Sequence, residues 1–282
     1  MKIDLHLHTN FSDGIFSPEE LLDMANLNHY DVIAITDHDT LDGYREAVEI
    51  LPKYNCQLLC GIEISSVHNK RDVHILAYDI DDANEELDNL LTSIQKSRLI
   101  RAKKIIDKLK KMGIYVDFDR VRSLAGKYEL IARPHIARVL VENGNCRSTK
   151  EAFDNYLSNT SPAFVLKETP TVQEIIDIIH RAGGVAVLAH PHTLFDDTMI
   201  DDFILMGLDG LEAFYAKYDK KMVDHYDEIA LKNNLLRTGG SDFHGEMLDF
   251  DYFGEYSAPD FVIDDIKLWA GRYKGSAKLE NL

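Results

Sequence analysis

Seven short apolar or alternating runs stand out along the chain, at residues 2–8, 32–36, 58–64, 73–78, 185–189, 210–214 and 235–239. Each is long enough for a strand and too short for a buried helix. Between many of them, apolar side chains recur three and four residues apart, which predicts helices over 171–182 and 218–233. Ser17-Pro18-Glu19-Glu20 opens another, with a hydroxyl to cap the first turn, a proline at its first position and acids near its positive end. Strands alternating with helices predict an α/β fold with a parallel sheet. About seven strands in this order suit a barrel better than a doubly wound sheet, and neither a GxGxxG nor a Walker sequence occurs.

The middle of the chain reads differently. Residues 83–112 form a charged stretch in which Leu87, Leu90, Leu91, Ile94, Leu99, Ile105, Ile106 and Leu109 recur at helical spacing. No convincing strand follows until about residue 165, while helices are expected near 118–124, 131–142 and 150–157. The expected organisation is a barrel of residues 1–99 and 166–282, interrupted by a helical insertion, 100–165, that caps the barrel mouth.

Composition adds limits. With 45% hydrophobic residues in 282, the chain has ample material for a core without disulfide staples. A net charge of −17 argues against a broad surface for duplex nucleic acid or anionic membrane. An anionic substrate in a small pocket remains compatible, because bound divalent cations reverse the local sign. Cys56, Cys60 and Cys146 form no CxxC pattern, and Cys56 and Cys60, which flank an apolar stretch, are expected to pack in the core rather than bind metal. The alternating N-terminus does not resemble a signal peptide, no apolar run is long enough to span a bilayer, and a cytoplasmic location is expected.

The candidate chemistry lies at strand ends. His6 and His8, two apart on one strand, face the same side, and Asp13 follows. Thr36-Asp37-His38-Asp39 comes straight after an apolar run, where barrel enzymes keep reactive groups; Asp37 or Asp39 could equally cap a helix or orient a ligand histidine. Glu63 sits inside the apolar segment Cys60–Ile64, where an unpaired carboxylate is costly, and His74 begins the next strand. His190-Pro191-His192 and Ser241-Asp242-Phe243-His244 close two later strands, the second preceded by Gly239-Gly240, which lets backbones pass closely. Each cluster alone is a modest signal. Together they place imidazoles and carboxylates where strand ends converge, the donor set of a multinuclear cation site.

His6-Leu7-His8-Thr9, Thr36-Asp37-His38-Asp39, Ala189-His190-Pro191 and Ser241-Asp242-Phe243-His244 resemble, in order, the four motifs of the PHP (polymerase and histidinol phosphatase) superfamily. The resemblance covers residues 1–80 and 170–245 and implies a distorted seven-stranded β/α barrel with a trinuclear site. By motif, His6, His8, Glu63 and Asp242 would hold one cation. Glu63 would bridge to a second with His74 and His190, and Asp13, His38 and His244 would hold a third. His192 is not assigned. The implied nucleophile is a hydroxide activated by two or three Mn, Fe or Zn ions, with no protein nucleophile and with Asp37 in support.

The insertion, with Ala132-Arg133-Pro134-His135, Glu151–Leu157 and Pro162–Val165, resembles that of short PHP phosphoesterases acting on nucleoside 3′,5′-bisphosphates or on short 5′-phosphorylated RNA. That resemblance implies phosphate contacts from Arg133 and His135; Lys167, just after the cap, is a further phosphate-binding candidate, with an ordinary exposed lysine as its plain alternative. Arg133 suits the role because its planar fork matches phosphate oxygens, although a salt bridge for Arg133 and a helix start at His135 are the plain alternatives. A histidinol-phosphate phosphatase shares the metal motifs, and a non-catalytic metal-binding protein is the alternative of another class.

Overall fold

The computed structural model describes residues 1–125, 130–245, 253–270 and 272–273. All seven runs form strands: β1 (Ile3–Leu7), β2 (Val32–Ile35), β3 (Gln57–His68), β4 (Arg71–Tyr78), β5 (Val185–Leu188), β6 (Gly210–Tyr215) and β7 (Leu236–Gly240). They lie side by side in chain order. Leu7 bridges Phe243, and Asp242 N–H donates to His6 O at 2.9 Å, so the end of β7 returns to β1 and the sheet nearly closes into a barrel.

The sheet is not wholly parallel, contrary to the expectation from strand–helix alternation. β4 runs antiparallel to both β3 and β5. The cause is a hairpin at Asn69-Lys70, where both residues adopt positive φ (49° and 64°), the backbone of a tight two-residue turn. The reversal has a functional consequence. His74 lies near the start of β4, and only an antiparallel strand brings its start to the rim where the parallel strands end.

The helices are α1 (Pro18–Leu27), α2 (Asp42–Ile50), α3 (Glu85–Lys111), α4 (Phe118–Leu124), α5 (Arg133–Glu142), α6 (Thr149–Ala152, continued by a π turn over Phe153–Leu157), α7 (Val172–Arg181), α8 (Thr198–Leu205), α9 (Lys220–Lys232) and α10 (Phe261–Ala270). Ser17 and Glu20 form the expected reciprocal cap of α1, and Thr171 and Glu174 cap α7 in the same way. Val262, Ile263 and Ile266 of α10 pack with Ile3, Leu5, Val185 and Leu236, joined by half-buried Trp269 and Tyr273. Cys56, Cys60 and Cys146 form no disulfide with one another and are buried in three different apolar clusters. No helix among the described residues is long and apolar enough to cross a membrane.

α3 connects two cores. At about 1.5 Å per residue its 27 residues span about 40 Å. Leu87, Leu91 and Ile94 pack with the barrel, whereas Ala102, Ile105 and Leu109 pack with α4, α5 and α6 in a separate apolar cluster. The boundary expected at residue 100 therefore falls inside one continuous helix. Arg98 and Arg101 sit where the two cores meet, both nearly buried.

Candidate metal centre and phosphate pocket

The strand ends deliver their side chains to one place. Nε2 of His6 and Nε2 of His8 each lie 3.3 Å from Glu63 Oε2, and they lie 3.4 and 3.2 Å from Asp242 Oδ1. Oε1 of Glu63 lies 2.9 Å from His74 Nδ1 and 3.0 Å from His190 Nε2. His38 Nδ1 is 3.0 Å from Glu63 Oε2, and His244 Nε2 is 3.3 Å from Asp13 Oδ1. Six imidazoles and three carboxylates thus converge around Glu63, which is wholly buried.

Donor atoms fall into three overlapping groups, each within 4.8 Å: His6, His8, Glu63 and Asp242; His8, Asp13, His38 and His244; and His38, Glu63 and His74. His8 and His38 each belong to two groups, a sharing that the motif assignment does not contain. Neither His190 nor His192 belongs to any of the three: His190 Nε2 lies 3.0 Å from Glu63 Oε1, beside the third group, and His192 Nδ1 lies 3.0 Å from the Tyr218 hydroxyl.

The donor set fits divalent cations. His6 Nε2, both ring nitrogens of His8, Asp13 Oδ1, His38 Nδ1 and Glu63 Oε2 are buried without a hydrogen-bond partner among the described residues. Orphaned buried polar atoms are costly, and here they face one another, as ligands around an ion would. Burial pushes the Glu63 carboxyl up, but His38, His74 and His6 outweigh it and hold it well below the usual carboxylate range. Asp13 and Asp242 are held low by the same balance of burial against imidazoles. Asp39, His190 and Asp242 all have positive φ (54°, 29° and 55°), strain concentrated at the site.

A ring of supporting contacts fixes these donors. Asp37 accepts hydrogen bonds from Thr9 N–H (2.7 Å), Thr9 Oγ1 (2.6 Å) and Ser12 Oγ (2.5 Å), pinning the loop between His8 and Asp13. Neither Asp37 nor Asp39 caps α2, which has no side-chain cap. Glu212, buried in β6, lies 2.8 Å from His6 Nδ1 and accepts the His190 N–H at 2.8 Å. The Tyr215 hydroxyl donates to Asp242 Oδ2 at 2.9 Å.

Beside the centre lies a cavity of about 170 Å³ lined by Asp13, His38 and His74 on one side and by Arg98, Arg101, Arg133 and Lys167 on the other. Arg98 is committed to Asp39 (2.5 Å) and Ser65 Oγ (2.9 Å). Arg101 donates through Nε to Val165 O at 2.8 Å, but its buried Nη2 has no partner among the described residues. Burial, then Arg133, brings the Arg101 guanidinium down to about 10, so it stays cationic at neutral pH. Arg133 pairs with Asp72 at 2.8 Å and donates to Leu157 O at 3.1 Å while still lining the cavity. Lys167 is 5% exposed, with Asp39 4.0 Å away, and burial, then Arg98, pulls its amine down to about 7. His135 does not line this cavity. It is buried, and its Nδ1 accepts the Ala132 N–H at 3.0 Å, serving the start of α5.

The PHP domain model matches residues 4–247. The chain belongs to the PHP domain family. A 5′-3′ exoribonuclease of Haemophilus influenzae is 35% identical over 249 residues, 86% of this chain and 90% of the relative. A 3′,5′-nucleoside bisphosphate phosphatase of Chromobacterium violaceum is 33% identical over 248 residues, 86% and 87% of the two chains. A solved structure described as an amidohydrolase from Chromobacterium violaceum, with bound sulfate and no metal, superposes at a TM-score of 0.87, with 30% identity and full coverage of both chains. As a PHP-domain protein with these relatives and this donor set, the chain is a metal-dependent hydrolase of phosphoric esters.

Arg98, Arg101 and Glu212 are absent from the motif-based site. Their signals are nonetheless present. Leu87, Leu91, Ile94, Arg98, Arg101, Ile105 and Leu109 follow the three-and-four spacing of one helix face, so the arginines occupy positions that should be apolar. Glu212 is an acid inside the apolar run Gly-Leu-Glu-Ala-Phe, the same anomaly that singles out Glu63.

Proposed function

We propose that this protein removes the 3′-phosphate of nucleoside 3′,5′-bisphosphates, with two or three Mn, Fe or Zn ions held by His6, His8, Asp13, His38, Glu63, His74, His190, Asp242 and His244. The observation that carries the reading is the pairing of eight clustered donor residues, with His190 beside them at 3.0 Å from Glu63, with a basic cavity that shares Asp13, His38 and His74 with the cluster. A substrate with two phosphates matches two adjacent anion sites of different chemistry. A monophosphate would leave the partnerless Arg101 Nη2 unused.

When bound, the ions supply an activated water nucleophile and neutralise charge on the phosphate under attack. The chain's own residues do the rest. Arg101, Arg133 and Lys167 hold the 5′-phosphate and so fix the distance from it to the 3′-phosphate; Arg98 holds Asp39 and keeps the wall of the cavity in place. Asp37 orients the loop bearing His8 and Asp13, and Glu212 orients His6 and the His190 backbone. The helices around residues 100–165 serve as the cap that closes this cavity from above.

A comparison of kcat/KM on adenosine 3′,5′-bisphosphate, adenosine 3′-monophosphate and histidinol phosphate tests the proposal. The bisphosphate is expected to exceed the 3′-monophosphate by at least about tenfold, the worth of one charge-assisted contact. Preference for histidinol phosphate would assign the basic cavity to another substrate, and hydrolysis of none with metal bound would favour a binding role.

A further inference from the structure

Among the described residues the metal centre opens on two sides. His6, His8 and Glu63 have no exposed side-chain surface, whereas Asp242 and His244 show 15% and 21% of theirs. Both line a cavity of about 220 Å³ that Asp13, Arg138, Thr149 and Lys217 also wall. A larger cavity, of about 590 Å³, starts at His74 and His190 and shares Asp72, His74, Arg133 and Phe153 with the basic one. It has the volume of a small-molecule site, which the basic cavity at about 170 Å³ lacks. The 220 Å³ cavity has only Phe153 in common with this large cleft, so it is a separate mouth.

Two cations flank the smaller mouth. A turn after β6, closed by the Tyr218 N–H on Tyr215 O at 2.9 Å, carries Lys217. Its ammonium lies 3.8 Å from Asp242 Oδ2 and 5.7 Å from the centre of the Tyr215 ring, whose hydroxyl donates to the same carboxylate oxygen. Arg138 comes from α5 and donates to Asp13 O at 3.1 Å. It follows Arg133 by five residues, which places it about 140° farther round the helix at about 3.6 residues per turn. One helix thus sends a guanidinium to the basic cavity and another to the smaller mouth. Phe153, at the start of the π turn, lines all three cavities and stands at their junction.

We propose that the smaller mouth is a release site for inorganic phosphate, where Arg138 and Lys217 draw that product off the metal centre while the nucleotide product still fills the other two cavities. The inference rests on the bisphosphate reading above. Each turnover consumes one water and yields one phosphate and one nucleoside 5′-monophosphate. In-line attack puts the water on the side of phosphorus away from O3′. With the nucleoside in the large cleft and its 5′-phosphate in the basic cavity, the side left over is the one on which Asp242 and His244 face the smaller mouth. Water enters there and phosphate departs there. Asp13 and Asp242 alone would repel a phosphate in this mouth, and the cations they hold offset that charge.

The test follows inorganic phosphate itself. The manganese-loaded protein is equilibrated with phosphate, with or without saturating adenosine 5′-monophosphate, and a fluorescent phosphate-binding protein reports release in stopped flow. Wild type should release phosphate at rates within about twofold of each other in the two conditions. Thr149→Trp, which narrows the mouth, should match wild type without the nucleotide and slow at least about tenfold with it, at unchanged manganese content. Lys217→Met and Arg138→Met should each raise the phosphate Kd of the nucleotide-saturated protein about tenfold, the loss of one charge-assisted contact. Release that the nucleotide blocks in wild type overturns the exit. So does an unchanged phosphate Kd in both Lys217→Met and Arg138→Met. A wild type that binds phosphate but no adenosine 5′-monophosphate would instead overturn the bisphosphate reading, and the exit with it.

Discussion

Glu212 Oε1 lies 2.8 Å from His6 Nδ1, while Oε2 of the same buried carboxylate accepts the His190 backbone N–H. One side chain in β6 thus fixes a ring from β1 and the backbone at the end of β5. A carboxylate behind a ligating histidine sets its tautomer and raises its basicity. Glu212→Gln is expected to weaken metal affinity about 10- to 100-fold while the fold persists. Metal titration of the chelated protein, followed by competition with a coloured indicator, measures it; unchanged affinity would remove Glu212 from the account.

Close backbone passage at Gly240 is a second requirement. A Cβ there would stand 2.2 Å from His6 Cβ and 2.6 Å from His6 N. Both are backbone or stem atoms that cannot swing away, so β7 must separate from β1. Gly240→Ala should cost about 1–3 kcal/mol or more in urea unfolding of the metal-free protein. It should also displace His6 and lower metal content at saturation. Wild-type stability and metal content together would contradict the close-packed barrel seam.

Arg98 and Arg101 should separate by phenotype although they lie one turn apart. Arg98→Ala removes the guanidinium partner of buried Asp39 and leaves it only the Ser65 N–H at 2.6 Å and Lys167 at 4.0 Å, which should destabilise the protein by about 3 kcal/mol and lower its melting temperature. Arg101→Met should leave melting less affected. It should raise KM for the bisphosphate about tenfold or more and spare the 3′-monophosphate. A common KM increase on both substrates would mean that Arg101 does not read the 5′-phosphate.

Lys167 gives a pH signature. Its amine sits near about 7 because of burial and Arg98, with Arg101 acting in the same sense and Asp39 and Asp72 opposing. Below that pH the ammonium is present to hold a phosphate; above it the free enzyme loses that charge. Since kcat/KM reports free-enzyme groups, its value for the bisphosphate should fall as pH rises through about 7. Lys167→Arg, always cationic, should flatten that limb. Identical profiles in the two proteins would exclude Lys167 as the source.

The strands and the convergent donors were legible because each obeys a local rule. Two histidines two apart share a strand face, and an acid such as Glu63 inside an apolar run demands a partner. The reversal of β4 was not legible from alternation, since its cause is a pair of positive-φ residues, Asn69 and Lys70, rather than a glycine-rich turn. The basic cavity was only half visible. Arg133 and Lys167 stand next to motifs, but Arg98 and Arg101 belong to a long charged helix whose mixed face becomes informative only once two cores are seen to meet on it. His135 illustrates the opposite case: its place after Arg133-Pro134 suits phosphate contact, yet its Nδ1 serves the helix start.

In the proposed function, cations held by the clustered imidazoles and carboxylates drive hydrolysis of a nucleotide phosphate. Release of inorganic phosphate from adenosine 3′,5′-bisphosphate by the purified protein, chelated and then reloaded with manganese, tests this. No release is expected after chelation, with restoration by manganese, adenosine 5′-monophosphate as the other product, and loss of both metal and activity in Asp242→Ala. Release that persists in the chelated, metal-free protein, or a metal-loaded protein that leaves the 3′-phosphate in place, would contradict it.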